Sequence, residues 1–131
     1  MSLVTSCDPS LVCASFVNVY LSDDESFVTL TDGCDGVFLS VDIDVVDPGM
    51  APGTGTPEPG GMTSRELLEA VRRICLEPPI VGIDVVEVAP PFDNADITAI
   101  LANRVVLEAL SAIAKRRSGT PYSPTQNLLD R

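Results

Sequence analysis

Two short aliphatic runs fix the fold class of this chain. Val37-Phe38-Leu39-Ser40-Val41 and Ile80-Val81-Gly82-Ile83-Asp84-Val85-Val86-Glu87-Val88 are of strand length and rich in β-branched residues. Nearly unbroken apolar runs are expected of strands buried on both faces of a parallel sheet. Between the two runs, Thr63-Ser64-Arg65-Glu66 reads as a capping box. The helix it opens sets Leu67, Leu68, Val71, Ile74 and Cys75 on one stripe, leaving Glu69, Arg72 and Arg73 as solvated charges, and Pro78 and Pro79 end it. A second helix from Ile97 to Lys115 is apolar around most of its circumference, so cover on more than one side is expected. Asp93 or Asp96 can cap it, and Lys115-Arg116-Arg117 suits its negative end. A β-α-β-α order implies parallel strands joined by a crossover. Two such strands do not make a stable sheet, so the expected fold is α/β, a truncated interior of a larger parallel sheet.

The rest of the chain is less patterned. Residues 1–32 hold a short apolar run, Leu11 to Leu21, and the acidic Ser22-Asp23-Asp24-Glu25; a strand and part of a helix are expected there. Residues 33–117 are the patterned portion. Residues 118–131 read as a loose tail. No segment is read as long enough for a membrane span, and Leu11–Leu21 lacks the basic flank of a signal peptide, so a cytoplasmic protein is expected.

Each aliphatic run empties into a proline-rich loop, and carboxylates stand at that junction. Asp42 and Asp44 close the first run, followed by the loop from Asp47-Pro48 through Ala51-Pro52-Gly53-Thr54-Gly55-Thr56-Pro57 to Gly60-Gly61. Residues two apart in a strand share a side, roughly 6.6 Å apart. In parallel α/β sheets this edge is where ligands bind. Adjacent carboxylates repel unless protonated or shared with a cation, and a hard divalent metal suits them. The competing reading is structural: aspartates after a strand often make Asx turns or cap a helix, and Asp47 before Pro48 fits that role. Glu87 sits late in the second run, where a carboxylate is costly unless paired. It could converge with Asp42 and Asp44, while Asp84, three residues earlier, falls on the opposite face.

Composition narrows the chemistry. The net charge of −11 argues against nucleic acid and anionic membranes, and favours cationic partners. The chain has no histidine, which removes any His-containing triad, His-bound zinc or His general base. Cys7, Cys13, Cys34 and Cys75 show no zinc spacing; Cys34 and Cys75 read as reduced packing residues.

Ser40-Val41-Asp42-Ile43-Asp44-Val45-Val46-Asp47-Pro48, the Ala51–Pro57 loop ending in Gly60-Gly61, and Asp84-Val85-Val86-Glu87-Val88-Ala89-Pro90-Pro91-Phe92-Asp93 together resemble the ureohydrolase (arginase and agmatinase) family over roughly residues 33–117. The Glu58-Pro59-Gly60-Gly61 ending and the string from Glu87 to Asp93 look more like the agmatinase and guanidinobutyrase branch. The resemblance implies the C-terminal part of a three-layer, arginase-like fold. It implies hydrolysis of an agmatine-like guanidino compound to urea and an amine, with water activated between two manganese ions. Asp42 matches the metal-bridging aspartate, Asp44 an aspartate that binds one manganese, and Glu87 the glutamate that holds the guanidinium. Full-length members are oligomeric, so the resemblance implies a homo-oligomer or a missing N-terminal portion.

The departures bear equally on function. The family's Gly-Gly-Asp-His and Asp-Ala-His-x-Asp motifs are missing, and so is its proton-shuttling histidine. The resemblance thus implies half of a dimetal site, and a chain inactive alone is expected. Two alternatives stay open. One is a catalytically dead or partner-completed metal- or guanidinium-binding module. The other is a haloacid-dehalogenase-type phosphatase, since Asp42-Ile43-Asp44-Val45-Val46 also resembles that nucleophile motif; its mechanism needs a lysine, and the only one is Lys115.

Overall fold

Both aliphatic runs become strands, and they pair with each other. The computed structural model describes residues 2–8, 11–16 and 36–119, with the backbone alone for the first two segments. Four strands, β1 (Ser2–Asp8), β2 (Leu11–Phe16), β3 (Gly36–Asp42) and β4 (Ile80–Val86), form one sheet in the order β2-β1-β3-β4. β3 and β4 run parallel, with Leu39 opposite Ile83, Ser40 opposite Asp84 and Asp42 opposite Val86. β1 is antiparallel to both β2 and β3. The strand and partial helix expected in residues 1–32 are therefore, where described, two strands. The acidic segment Ser22–Glu25 and the tail from residue 120 lie outside the described residues.

Helix α1 (Ser64–Leu76) begins as its capping box dictates. Thr63 Oγ1 accepts from Glu66 N at 3.2 Å, and Thr63 N donates to Glu66 Oε2 at 2.7 Å. It buries Leu67, Ala70, Val71, Ile74 and Cys75. Helix α2 (Ile97–Arg117) buries Thr98, Leu101, Val105, Glu108, Ala109 and Ala112. Of its two candidate caps, Asp93 serves: its carboxylate accepts from Thr98 N and Ala99 N, each at 3.1 Å. Asp96 makes no side-chain cap bond and sits in left-handed backbone, at φ 58°. Both helices share one core with the inner residues of β3, in which Val37, Leu39 and Val41 are wholly buried.

Three expectations change. The strands are not buried on both faces: Phe38 is 38% exposed and Val81 72% exposed. The helices pack on the side of Leu39, Val41, Ile83 and Val85, and among the described residues nothing comparable covers the side of Phe38, Ser40, Asp42 and Asp84. Nor is α2 covered all round, because Ile100, Leu107 and Leu110 stand exposed. Finally, α2 is long and apolar enough, by length and composition alone, to cross a membrane, contrary to the reading that no segment reaches that length. Here its buried stripe is part of the core shared with α1 and the sheet.

Arg72 departs from the solvated role read for it. It reaches from α1 to the buried Glu108 of α2, with Nε 2.9 Å from Oε2 and Nη2 closing a second contact to the same oxygen. Arg104, one turn earlier on α2, holds Oε1 through Nε at 3.0 Å and Nη2 at 2.6 Å. The carboxylate is thus clamped bidentately from both helices, a charge-assisted arrangement.

Candidate functional site

The C-terminal edge of β3 builds the site. The strand ends at Asp42, and Ile43–Val45 turns at once into a single 3₁₀ turn. Asp42 caps that turn, its Oδ1 accepting from Asp44 N at 3.1 Å. The two carboxylates therefore do not stand at strand spacing, as the sequence reading supposed; the turn folds Asp44 back over Asp42. Ile43 and Val46 are buried and anchor the turn in the core.

The following loop is fastened at several points. Asp47 makes the expected Asx turn, accepting from Gly49 N at 2.8 Å, and also from Gly60 N at 3.0 Å at the far end of the loop. These two backbone bonds hold its carboxyl below the usual carboxylate range. Met62 N donates to Val45 O at 2.7 Å and Asp47 N to Met62 O at 2.9 Å, so the chain leaves the loop beside the turn it came from. Gly61 permits this approach, since a Cβ there would lie 2.6 Å from Val45 O and 2.7 Å from Asp47 N. Within the loop, Thr56 Oγ1 donates to Asp44 Oδ2 at 2.8 Å. No sequence signal marked Thr56 as a partner of Asp44.

Glu87 is not deep in a strand. β4 ends at Val86, and Glu87 follows in left-handed backbone, at φ 63°, with its side chain exposed. For a residue with a Cβ this backbone costs roughly 1–2 kcal/mol, and such strain gathers where a side chain must be re-aimed. Its carboxylate lies close enough to Asp42 to act on its charge. Burial most of all, then contact with the Asp44 carboxyl and the charges of Asp44 and Glu87, push the Asp42 carboxyl above its ordinary range; the bond from Asp44 N opposes them. Asp84 lies opposite Ser40 in the register and so shares the open sheet face with Asp42.

All three predicted site residues thus lie at the same C-terminal edge of the β3–β4 pair. Their chemistry fits a hard cation: oxygen donors, crowded negative charge, and an Asp42 carboxyl held above its ordinary range. Their number does not complete a metal site. Among the described residues, no group of three or more His, Cys, Asp or Glu side chains is arranged to hold a metal ion. Lys115 belongs to the other end of the fold: the neighbouring Arg116 Nε donates to Glu77 O at 3.3 Å, just ahead of β4, whereas Asp42 lies where β3 ends. A phosphatase-type lysine beside Asp42 is therefore not supplied by this helix.

The arginase family matches this chain over residues 23–112, opening ahead of the patterned portion and closing within α2. Proclavaminate amidinohydrolase of Streptomyces clavuligerus is 54% identical over 80 residues, covering 60% of this chain and 25% of that protein. An agmatinase of Bacillus subtilis is 46% identical over 80 residues, covering 60% and 28%. Among solved structures, formimidoylglutamase of Bacillus subtilis superposes with a TM-score of 0.66 at 43% identity, covering 68% of this chain and 28% of that one. The chain thus spans about a quarter of the length of the relatives it matches.

Proposed function

Because this chain belongs to the arginase family, we propose that it supplies the carboxylate half of a dimanganese site for hydrolysing an agmatine-like guanidino compound to urea and an amine. The observation that carries this reading is the placement of Asp42, Asp44 and Glu87 at one edge of the sheet, in a stretch 46% identical to an agmatinase. Asp42 and Asp44 would hold manganese, with Thr56 fixing one oxygen of Asp44. Glu87, exposed and turned by its backbone, would hold the planar guanidinium through paired, charge-assisted hydrogen bonds. When bound, a manganese pair would supply activated water for attack on the guanidinium carbon.

The shortage of donors favours a site completed from outside the described residues, by another polypeptide or by a preceding portion of a longer protein. On this reading the chain is inactive alone. Manganese calorimetry on the purified chain, with circular dichroism of the same sample, tests it. Binding that is lost in both Asp42→Ala and Asp44→Ala supports the half-site. Binding that neither substitution alters, in a folded chain, overturns it.

A further inference from the structure

Resting on the reading of Asp42, Asp44 and Glu87 just given, we propose that Thr98 is a positioning residue: seated by Asp93, it locks the Ala51–Pro57 loop to the segment after β4 and so sets Asp44 against Glu87.

The lock is a chain of short bonds through one glycine. Gly53 N donates to Thr98 Oγ1 at 2.8 Å, and both residues are buried. The Thr98 hydroxyl in turn bonds the Asp93 carboxylate, which also accepts from Thr98 N. Donor and acceptor capacity of the hydroxyl are therefore both used, and such a chain of bonds polarises along its length. On its other side, Gly53 O accepts from Ala89 N at 2.7 Å. Both polar backbone groups of Gly53 are thus tied, one to α2 and one to the strand exit. Space closes the lock: a Cβ at Gly53 would lie 2.7 Å from Asp93 Cβ and 2.9 Å from Thr98 Oγ1.

Both arms end on site carboxylates. Three residues beyond Gly53, Thr56 holds Asp44 Oδ2. Two residues before Ala89, Glu87 sits in its left-handed backbone, a conformation that persists only where the surroundings hold it. A movement at Gly53 would be carried into Asp44 through Thr56 and into Glu87 through Ala89. A cap serving α2 alone would need only Asp93, whose carboxylate already satisfies Thr98 N and Ala99 N. The Thr98 hydroxyl is spent on the loop.

The test uses the whole chain as Thr98→Val, which keeps shape without the hydroxyl, and Thr98→Ser, which restores it. Backbone amide shifts of Thr56 and Glu87 are read by NMR, together with binding of agmatine as the guanidinium probe. The expected result is displaced Thr56 and Glu87 amides and about tenfold weaker binding in Thr98→Val, the scale of one lost hydrogen bond, with Thr98→Ser close to the parent. If Thr98→Val disturbs Gly53 and leaves Thr56 and Glu87 in place, or if Thr98→Ser behaves as Thr98→Val, the lock is overturned. Should Thr98→Val unfold, Asp93→Asn is read instead, and unmoved Thr56 and Glu87 amides there overturn it equally. Agmatine binding the parent and Thr98→Val alike refutes the lock and leaves the site reading standing. A parent that binds no agmatine, with Thr56 and Glu87 amides that follow the hydroxyl, refutes the site reading and supports the lock.

Discussion

Glu108 offers the sharpest test of how this small core is held. It is 4% exposed, yet it faces two guanidinium groups rather than apolar neighbours alone. Burial by itself would raise its carboxyl, but hydrogen bonds from Arg72 and Arg104, and their charges, outweigh burial and hold it below the usual carboxylate range. Removing one partner of a fully buried pair costs about 3–5 kcal/mol, because the other charge is stranded. Here the partners left behind are arginines with side chains 23% and 54% exposed, which water can reach. The expected loss is therefore smaller: about 2 kcal/mol for Glu108→Ala and about 1 kcal/mol for Glu108→Gln, which keeps an acceptor. The sign of the pH effect follows from the lowered folded value. As pH falls, the unfolded chain takes up the proton first, at about 4.3. The stabilisation is thus complete above that pH and disappears as pH drops through the lower folded value. Urea unfolding followed by circular dichroism, at pH 7 and stepwise down to pH 3, reads both quantities. Glu108→Gln should start lower at pH 7 and converge on the parent in acid. Curves that stay parallel at every pH would refute the assignment of this carboxylate as an ionised clamp.

Thr63→Ala removes the hydroxyl that accepts from Glu66 N, leaving the Thr63 N bond to the Glu66 carboxylate, and should lower stability by about 1 kcal/mol, read as a fall in thermal midpoint with the fold unchanged. Gly61→Ala should destabilise markedly by driving a methyl into the Val45–Asp47 backbone, whereas Gly55→Ala, with nothing within 4 Å of its Cβ, should be near neutral; matched thermal melts compare them. Cys75 is buried, and burial pushes its thiol up to about 11, so peptide mapping after iodoacetamide at pH 8 should find it unmodified until denaturant is added.

The local grammar of this chain was legible because each signal is enforced by near neighbours. Aliphatic runs gave β3 and β4, Thr63 and Glu66 gave the start of α1, and Asp47 gave its Asx turn, each within a few residues of sequence. What escaped depends on partners far along the chain. Arg72 reads as a surface charge on its own helix, and only the packing of α2, thirty-six positions later, makes it the holder of Glu108. Thr98 reads as an ordinary first-turn residue until the loop forty-five positions earlier arrives at its hydroxyl. The extent of burial was overread for a related reason. An apolar strand or helix declares what could be covered, and Phe38, Val81, Ile100 and Leu110 show that covering surfaces need not be among its neighbours. In residues 1–32, where a strand and part of a helix were expected, the second strand was not legible because serine and cysteine interrupt its apolar period, and pairing of β2 with β1, and of β1 with β3, is the stronger determinant.

Among the described residues, the open face of the sheet and the shortage of donors have one geometric cause. The register places Asp42 in line with Ser40 and Phe38 along β3 and beside Val86 and Asp84 of β4, on the side that α1 and α2 leave uncovered. The helices cannot contribute a ligand to Asp42 from where they pack, since they approach the sheet through Leu39, Val41, Ile83 and Val85. On the function proposed above, any further group sharing a cation with Asp42 would arrive from the edge or from the open face. A surface arriving there would also shield Phe38, whose ring already lies against Gly82, where a Cβ would come within 2.6 Å of it. Burying that apolar area and neutralising the crowded carboxylates are favourable together, so completing the site and covering the sheet would be driven by the same association.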